Sequence, residues 1–193
     1  GNDARPPRRA KSPRAIFVSS PIGLGHAQRD LAIARELRAL EPKLEIHWLA
    51  QHPNTAVLER AGETIHPASN LLASESAHIE ARTGEHELHV FQALREMDEL
   101  FVANFMHFLD VVRTEHYDLW IGDEAWELDH FLHEHPELKT SPFAFLTDFV
   151  GYLPVDPSEA WLTADYNAET IGHVERYPEV RDAAIFVGDE ADL

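Results

Sequence analysis

The chain contains no cysteine. That absence excludes a disulfide framework and a thiolate metal site. No apolar run approaches the ~20 residues that span a bilayer, and the first residues lack the apolar stretch of a secretory leader. The expected location is therefore cytoplasmic, and membrane association is not expected. Positive charge is scarce too: 16 Lys and Arg stand against 34 Asp and Glu, for a formal net charge of −18. Such a field repels nucleic acid and anionic lipid, so neither is an expected partner. The basic exception is "ARPPRRAKSPR", where Arg5, Arg8, Arg9, Lys11 and Arg14 alternate with prolines. Residues 1–13 read as a disordered basic leader. The 193 residues, 44% of them hydrophobic, suffice for a single domain with a sizeable core, placed at 14–193.

Periodicity supplies the organisation. "AIFVSS" (15–20) is a short apolar run and predicts a buried strand. From His26 to Leu40 the stripe Leu31, Ala34, Leu37 predicts a helix, stopped by Pro42. "KLEIHWLAQ" (43–51) alternates as a strand, "PNTAVLERAG" (53–62) is a helix closed by Gly62, and "ETIHPA" (63–68) is a third strand. This βαβαβ order predicts a parallel sheet. Residues 69–85 carry no period and read as a long loop of the kind that often serves function. From His86 to about His116, apolar residues at steps of three and four predict the strongest helix. Straight, it would measure ~45 Å, so a kink or break is expected. Further strands are predicted at Leu119–Gly122, within "PFAFLTDFVG" (142–151) where an apolar strand ends in Thr147 and Asp148, near Trp161–Ala164 and at Ala184–Val187. The fold expected is α/β: a doubly wound, Rossmann-like parallel sheet of about seven strands with helices on both faces.

Ligands of such sheets sit beyond the carboxyl ends of the strands. The stretch "SPIGLGHAQRD" falls at the first of these ends. It has Gly23 and Gly25, but Gln28 stands where a dinucleotide fingerprint needs its third glycine. The second strand ends in Ala50-Gln51-His52, with no acid for a ribose hydroxyl. No Gly-Lys-Ser/Thr follows, so a P-loop is excluded as well. No cofactor is expected. What remains is a glycine turn that delivers backbone N–H groups and His26 to a helix start, where an anion is favoured and a protonated imidazole is not. His26 is thus either a helix cap or a general base; residue type and place leave both open. A base needs a carboxylate to orient it. Asp123 and Asp148 both end predicted strands, and each also has a cap position as its bland role. The placement favours pairing for Asp123 and capping for Asp148. His130 and His133 in "HFLHEH" are spaced to share a helix face, but HExxH is absent, so a metal-dependent hydrolase is the weaker reading and no metal site is predicted.

The run "GLGHAQRDLAIARELR", after a short first strand, resembles the opening of the N-terminal domain of two-domain nucleotide-sugar glycosyltransferases of the GT-B fold. The similarity is to the branch of the peptidoglycan N-acetylglucosaminyltransferase and the galactolipid synthases. Pro21 and Ile22 stand where that family's loop has more glycines. The resemblance implies the acceptor-binding half of an inverting transferase, with His26 as base and Asp123 as its orienter. Ser20, Gly23, Leu24 and Gly25 would line the loop, and Glu124, Trp126, Asp148 and Phe149 the rim of the acceptor site. It implies a nucleotide-sugar donor and a small-molecule or glycan acceptor as partners. The donor-binding C-terminal domain would be missing from this chain, leaving it nearly inactive alone. The rival expectation is a stand-alone flavodoxin-like binding module without chemistry.

Overall fold

The computed structural model describes residues 11–19, 24–72, 90–147 and 180–186. Six strands are seen there: β1 (Arg14–Ser19), β2 (Glu45–Leu49), β3 (Thr64–Ile65), β4 (Leu119–Asp123), β5 (Phe143–Thr147) and β6 (Ala183–Phe186). They form one sheet in the order β3-β2-β1-β4-β5-β6, with every pairing parallel. Four α-helices accompany them: α1 (Leu24–Leu40), α2 (Asn54–Arg60), α3 (Val90–Thr114) and α4 (Trp126–Glu134). The fold is therefore the expected α/β doubly wound parallel sheet. The seventh strand expected near Trp161–Ala164 lies outside the described residues, as do residues 1–10 of the basic leader and residues 73–85 of the long loop.

Alternation along the strands makes two cores, one on each face. Ala15 and Phe17 of β1, Ile46 and Trp48 of β2 and Ile121 of β4 pack under Ala27, Leu31 and Ala34 of α1 and Val57 and Leu58 of α2. The intervening residues Ile16, Val18, Trp120, Phe143 and Phe145 pack under Phe105, Phe108 and Leu109 of α3 and Leu128 and Leu132 of α4. Phe17 stacks on Trp48, and Phe108 meets Trp120 edge-on. Burying such rings accounts for much of what holds the layers together, at roughly 25 cal/mol per Å² of apolar surface. α2 ends as its sequence predicts: Gly62 takes φ +79°, a left-handed conformation that glycine adopts without a steric penalty.

Of the kink or break expected in the long helix, no break falls within its described residues. α3 runs unbroken over 25 residues, about 37 Å at 1.5 Å per residue. It contains no proline or glycine, so nothing in its sequence interrupts the hydrogen-bond ladder. A polar cluster that the sequence did not announce gathers around the residues between α3 and β4. The Tyr117 hydroxyl donates to Glu115 (2.8 Å) and lies 2.7 Å from His47 Nδ1. His66 Nδ1 accepts from the Ala68 N–H, and its Nε2 lies 3.1 Å from Glu115 Oε1. These histidines join the end of α3 to the sheet. At the far edge, Arg181 grips Asp129 of α4 with two 2.6 Å bonds and covers the ring of Phe145, which fixes the approach to β6.

Gly122 of β4 faces the α4 side, where a Cβ would stand 2.9 Å from that of Ala125 and 3.3 Å from the Phe143 ring. We expect Gly122→Ala to cost ~1–3 kcal/mol through overpacking, read as a lower urea midpoint. An unchanged midpoint would mean that β4 and α4 separate freely.

Candidate active site

The strand order reverses between β1 and β4, and an open α/β sheet forms its crevice at the carboxyl side of such a point. Register places Ser19, the last residue of β1, beside Asp123, the last of β4. Strand alternation fixes their direction. Ser19 shares the face of Ala15 and Phe17, and Asp123 that of Leu119 and Ile121, so both side chains lie beneath α1. That helix starts at Leu24, two residues before its predicted start. Leu24, Gly25 and His26 are therefore its first three residues, and their amides belong to the first turn.

Helical spacing then brings four polar side chains together. Ala27, Asp30, Leu31 and Ala34 are the buried stripe of α1, and His26 and Arg29 flank it at its open end. Asp123 has no exposed side-chain surface. Arg29 clasps it through two hydrogen bonds, Nε to Oδ2 at 3.2 Å and Nη2 to Oδ1. His26 Nδ1 lies 3.5 Å from Asp123 Oδ2 and 3.1 Å from Arg29 Nη2. The His26 and Arg29 side chains keep 17% and 18% of their surface exposed, so this dyad is reachable from outside while its carboxylate is not. Asp123 is not a helix cap: Ala125 holds that position of α4, and no side chain caps it.

Behind Asp123 lies a second carboxyl. Asp30 is fully buried and accepts the Ser19 hydroxyl proton at 2.5 Å, and Asn54 stands 3.5 Å from the same hydroxyl. Burial, together with the adjacent Asp123 carboxylate, pushes Asp30 up to about 9; Ser19 and Arg29 oppose this without offsetting it. The site thus holds two carboxyl groups, one guanidinium and one retained proton. A carboxyl kept neutral by a dry neighbour of like charge is a recurrent device of active sites.

The sequence reading missed Arg29, Asp30 and Ser19. Asp30 had a signal, since an acid three residues after Ala27 and four before Ala34 falls inside an apolar stripe. Of the rim residues, Glu124 adopts φ +51°, rare for a non-glycine residue. It is held there by its N–H on the Leu146 carbonyl (2.9 Å) and by Thr147 Oγ1 donating to its Oε1 (2.9 Å). Such strain costs about 1–3 kcal/mol and clusters at functional sites. Trp126 packs edge-on against Phe145, 5.0 Å between centroids, so its ring serves the core at least in part. Ser20, Gly23, Asp148 and Phe149 lie outside the described residues. His130 and His133 differ in setting: His133 is buried with Nδ1 2.5 Å from the Asp129 carbonyl, while His130 is exposed. Among the described residues no group of three or more His, Asp or Glu is arranged to hold a metal, and no helix is long and apolar enough to cross a membrane.

No protein-family model and no curated protein matches the chain. Among solved structures it is similar to the glycosyltransferase SnogD from Streptomyces nogalater, at 16% identity and a TM-score of 0.46, over 84% of this chain and 41% of that one. It is also similar to Glycyrrhiza uralensis UGT73P12, solved with glycyrrhetinic acid 3-O-monoglucuronide, at 13% identity and a TM-score of 0.45, over 93% and 51%. The chain thus spans about half the length of these structures or less.

The raised Asp30 carboxyl gives a signed pH dependence. The unfolded chain releases this proton near its ordinary value of 3.8, the folded one only near 9. Stability contributed by the buried neutral acid is full below the lower value. It falls as pH rises through the window between them, by up to about 1.4 kcal/mol per pH unit. In Asp30→Asn the amide still accepts from Ser19 and can donate to Asp123, but it does not titrate. We expect its urea midpoint to gain on wild type between about pH 5 and about pH 8. An equal gap at both would place the proton elsewhere.

Proposed function

We propose that this chain is the acceptor-binding half of an inverting glycosyltransferase, which moves a sugar from a nucleotide-sugar donor to an acceptor hydroxyl. The observation that carries the reading is the pairing of a part-exposed His26 with a fully buried Asp123 at the switch point of the sheet. The Gly-His turn and its resemblance to the GT-B transferases support the reading from the sequence side. In the reaction, His26 Nε2 takes the proton of the acceptor hydroxyl. The hydroxyl oxygen bonds to the anomeric carbon, and the bond from that carbon to the nucleotide's terminal phosphate oxygen breaks, its electron pair leaving with the phosphate. Attack from the face opposite the leaving group inverts the anomeric centre. Asp123 stabilises the imidazolium as it forms, the ordinary task of a carboxylate behind a histidine base.

The remaining assignments follow from the sequence resemblance. By it, Ser20, Gly23, Leu24 and Gly25 contact phosphate or acceptor, where the amides of Leu24 to His26 open α1. Glu124, Trp126, Asp148 and Phe149 shape the acceptor side of the rim. Donor binding falls to a second domain, in the same polypeptide or another one.

The test is a transferase assay of the full protein with its donor-binding half, using nucleotide-sugars and a panel of hydroxyl acceptors. His26→Ala should lower kcat by ~10²–10⁴ while leaving acceptor KM within a few-fold. An unchanged kcat overturns the base assignment. A product with retained anomeric configuration overturns the inverting mechanism.

A further inference from the structure

Arg29 stands where a histidine base of this kind would need its carboxylate. A guanidinium has only donors. With Arg29 Nη2 3.1 Å away, His26 Nδ1 meets it as an acceptor, with its lone pair turned inward. The ring proton of His26 then sits on Nε2. The Asp123 oxygen that Nδ1–H would otherwise use, Oδ2, lies farther off at 3.5 Å and already accepts from Arg29 Nε at 3.2 Å. In this arrangement the ring nitrogen that Arg29 does not hold is a donor. A general base must offer a lone pair there, which requires the opposite tautomer, with Nδ1–H on Asp123.

We propose that Arg29 is a positioning residue that sets the tautomer of His26. With the site in the arrangement seen, Arg29 holds the proton on Nε2 and keeps His26 from acting as a base. When the guanidinium moves off Nδ1 while remaining paired with Asp123, Nδ1 is free to carry the proton and donate it to Asp123 Oδ2. The exchange conserves protons: one leaves Nε2 to water and one returns from water to Nδ1. No charge changes on the ring. The residue that orients Asp123 is thus also the residue that blocks the dyad. Only the functional consequence rests on the transferase reading, since the tautomer is a property of the protein without substrate.

Ring nitrogen NMR of the ¹⁵N-histidine-labelled protein, without substrate, tests it directly at a pH where the ring is uncharged. In wild type, His26 should show an unprotonated Nδ1 and a protonated Nε2, with that form in excess by about tenfold or more, the weight of one charge-assisted hydrogen bond. Arg29→Met should reverse the pattern, giving a protonated Nδ1. A structural role alone would not move this signature. A protonated Nδ1 in wild type overturns the proposal, and so does an unchanged tautomer in Arg29→Met. If Arg29→Met does not fold, the wild-type spectrum and that of Arg29→Gln decide. The glutamine amide is neutral and shorter than the guanidinium, so it should lower the Nε2-protonated excess at least threefold, and no change overturns the proposal. A failed tautomer prediction leaves the His26→Ala kinetics untouched, so the two readings fail separately.

Discussion

A carboxylate with no contact with water must be matched by donors or give up its charge. Asp123 is such a carboxylate, and the architecture around it is the set of ways in which that demand is met. Arg29 supplies a charged fork, which suits a carboxylate better than any single point charge. Asp30, too close to a like charge and equally dry, remains neutral. Ser19 and Asn54 continue the network inward, so a polar thread passes from the rim into the layer between β1 and α1. His26 is the outermost member and the one with a face toward solvent. Removing one partner would leave the others buried without a match, and that is why the cluster behaves as a unit.

Much of the fold was legible because burial on both sheet faces leaves short apolar runs, and helices between them leave a period of three and four. The order β1-α1-β2-α2-β3 follows from those runs, and the ends of β4 and β5 follow from the polar residues after them. Length alone misled for α3, whose extent suggested a break although its sequence holds no residue that makes one. Asp123 was recognisable from its place after an apolar strand. Arg29 was not, because charged residues on a helix default to solvent, and Asp30 showed only as an acid within an apolar stripe. Their role depends on which turn of α1 meets which strand end, and that is set by the register of β1 with β4, not by local sequence.

The two ends of the sheet show how similar groups serve different purposes. Near the start of β4, His47 of β2 and His66 after β3 meet Tyr117 and Glu115 in contacts that hold the segment between α3 and β4 against the sheet. At the carboxyl ends, His26 meets Asp123 and Arg29. Histidine beside a carboxylate is common to both. What separates them is the place in the topology, since an α/β sheet leaves its opening where strands finish, and the presence at that end of Glu124 with its φ of +51°.

The alternation of β4 has a corollary. Its even-numbered residues Trp120 and Gly122 serve the α4 layer, while Leu119, Ile121 and Asp123 serve the α1 layer. Inserting or deleting one residue in this strand would turn Asp123 away from Arg29 and press it among Phe143, Phe145 and Leu128, an apolar layer with no guanidinium to receive it. A change of two residues would restore the face but shift the carboxyl by roughly 7 Å along the strand. The number of residues between the start of β4 and Asp123 therefore fixes which layer receives the carboxylate.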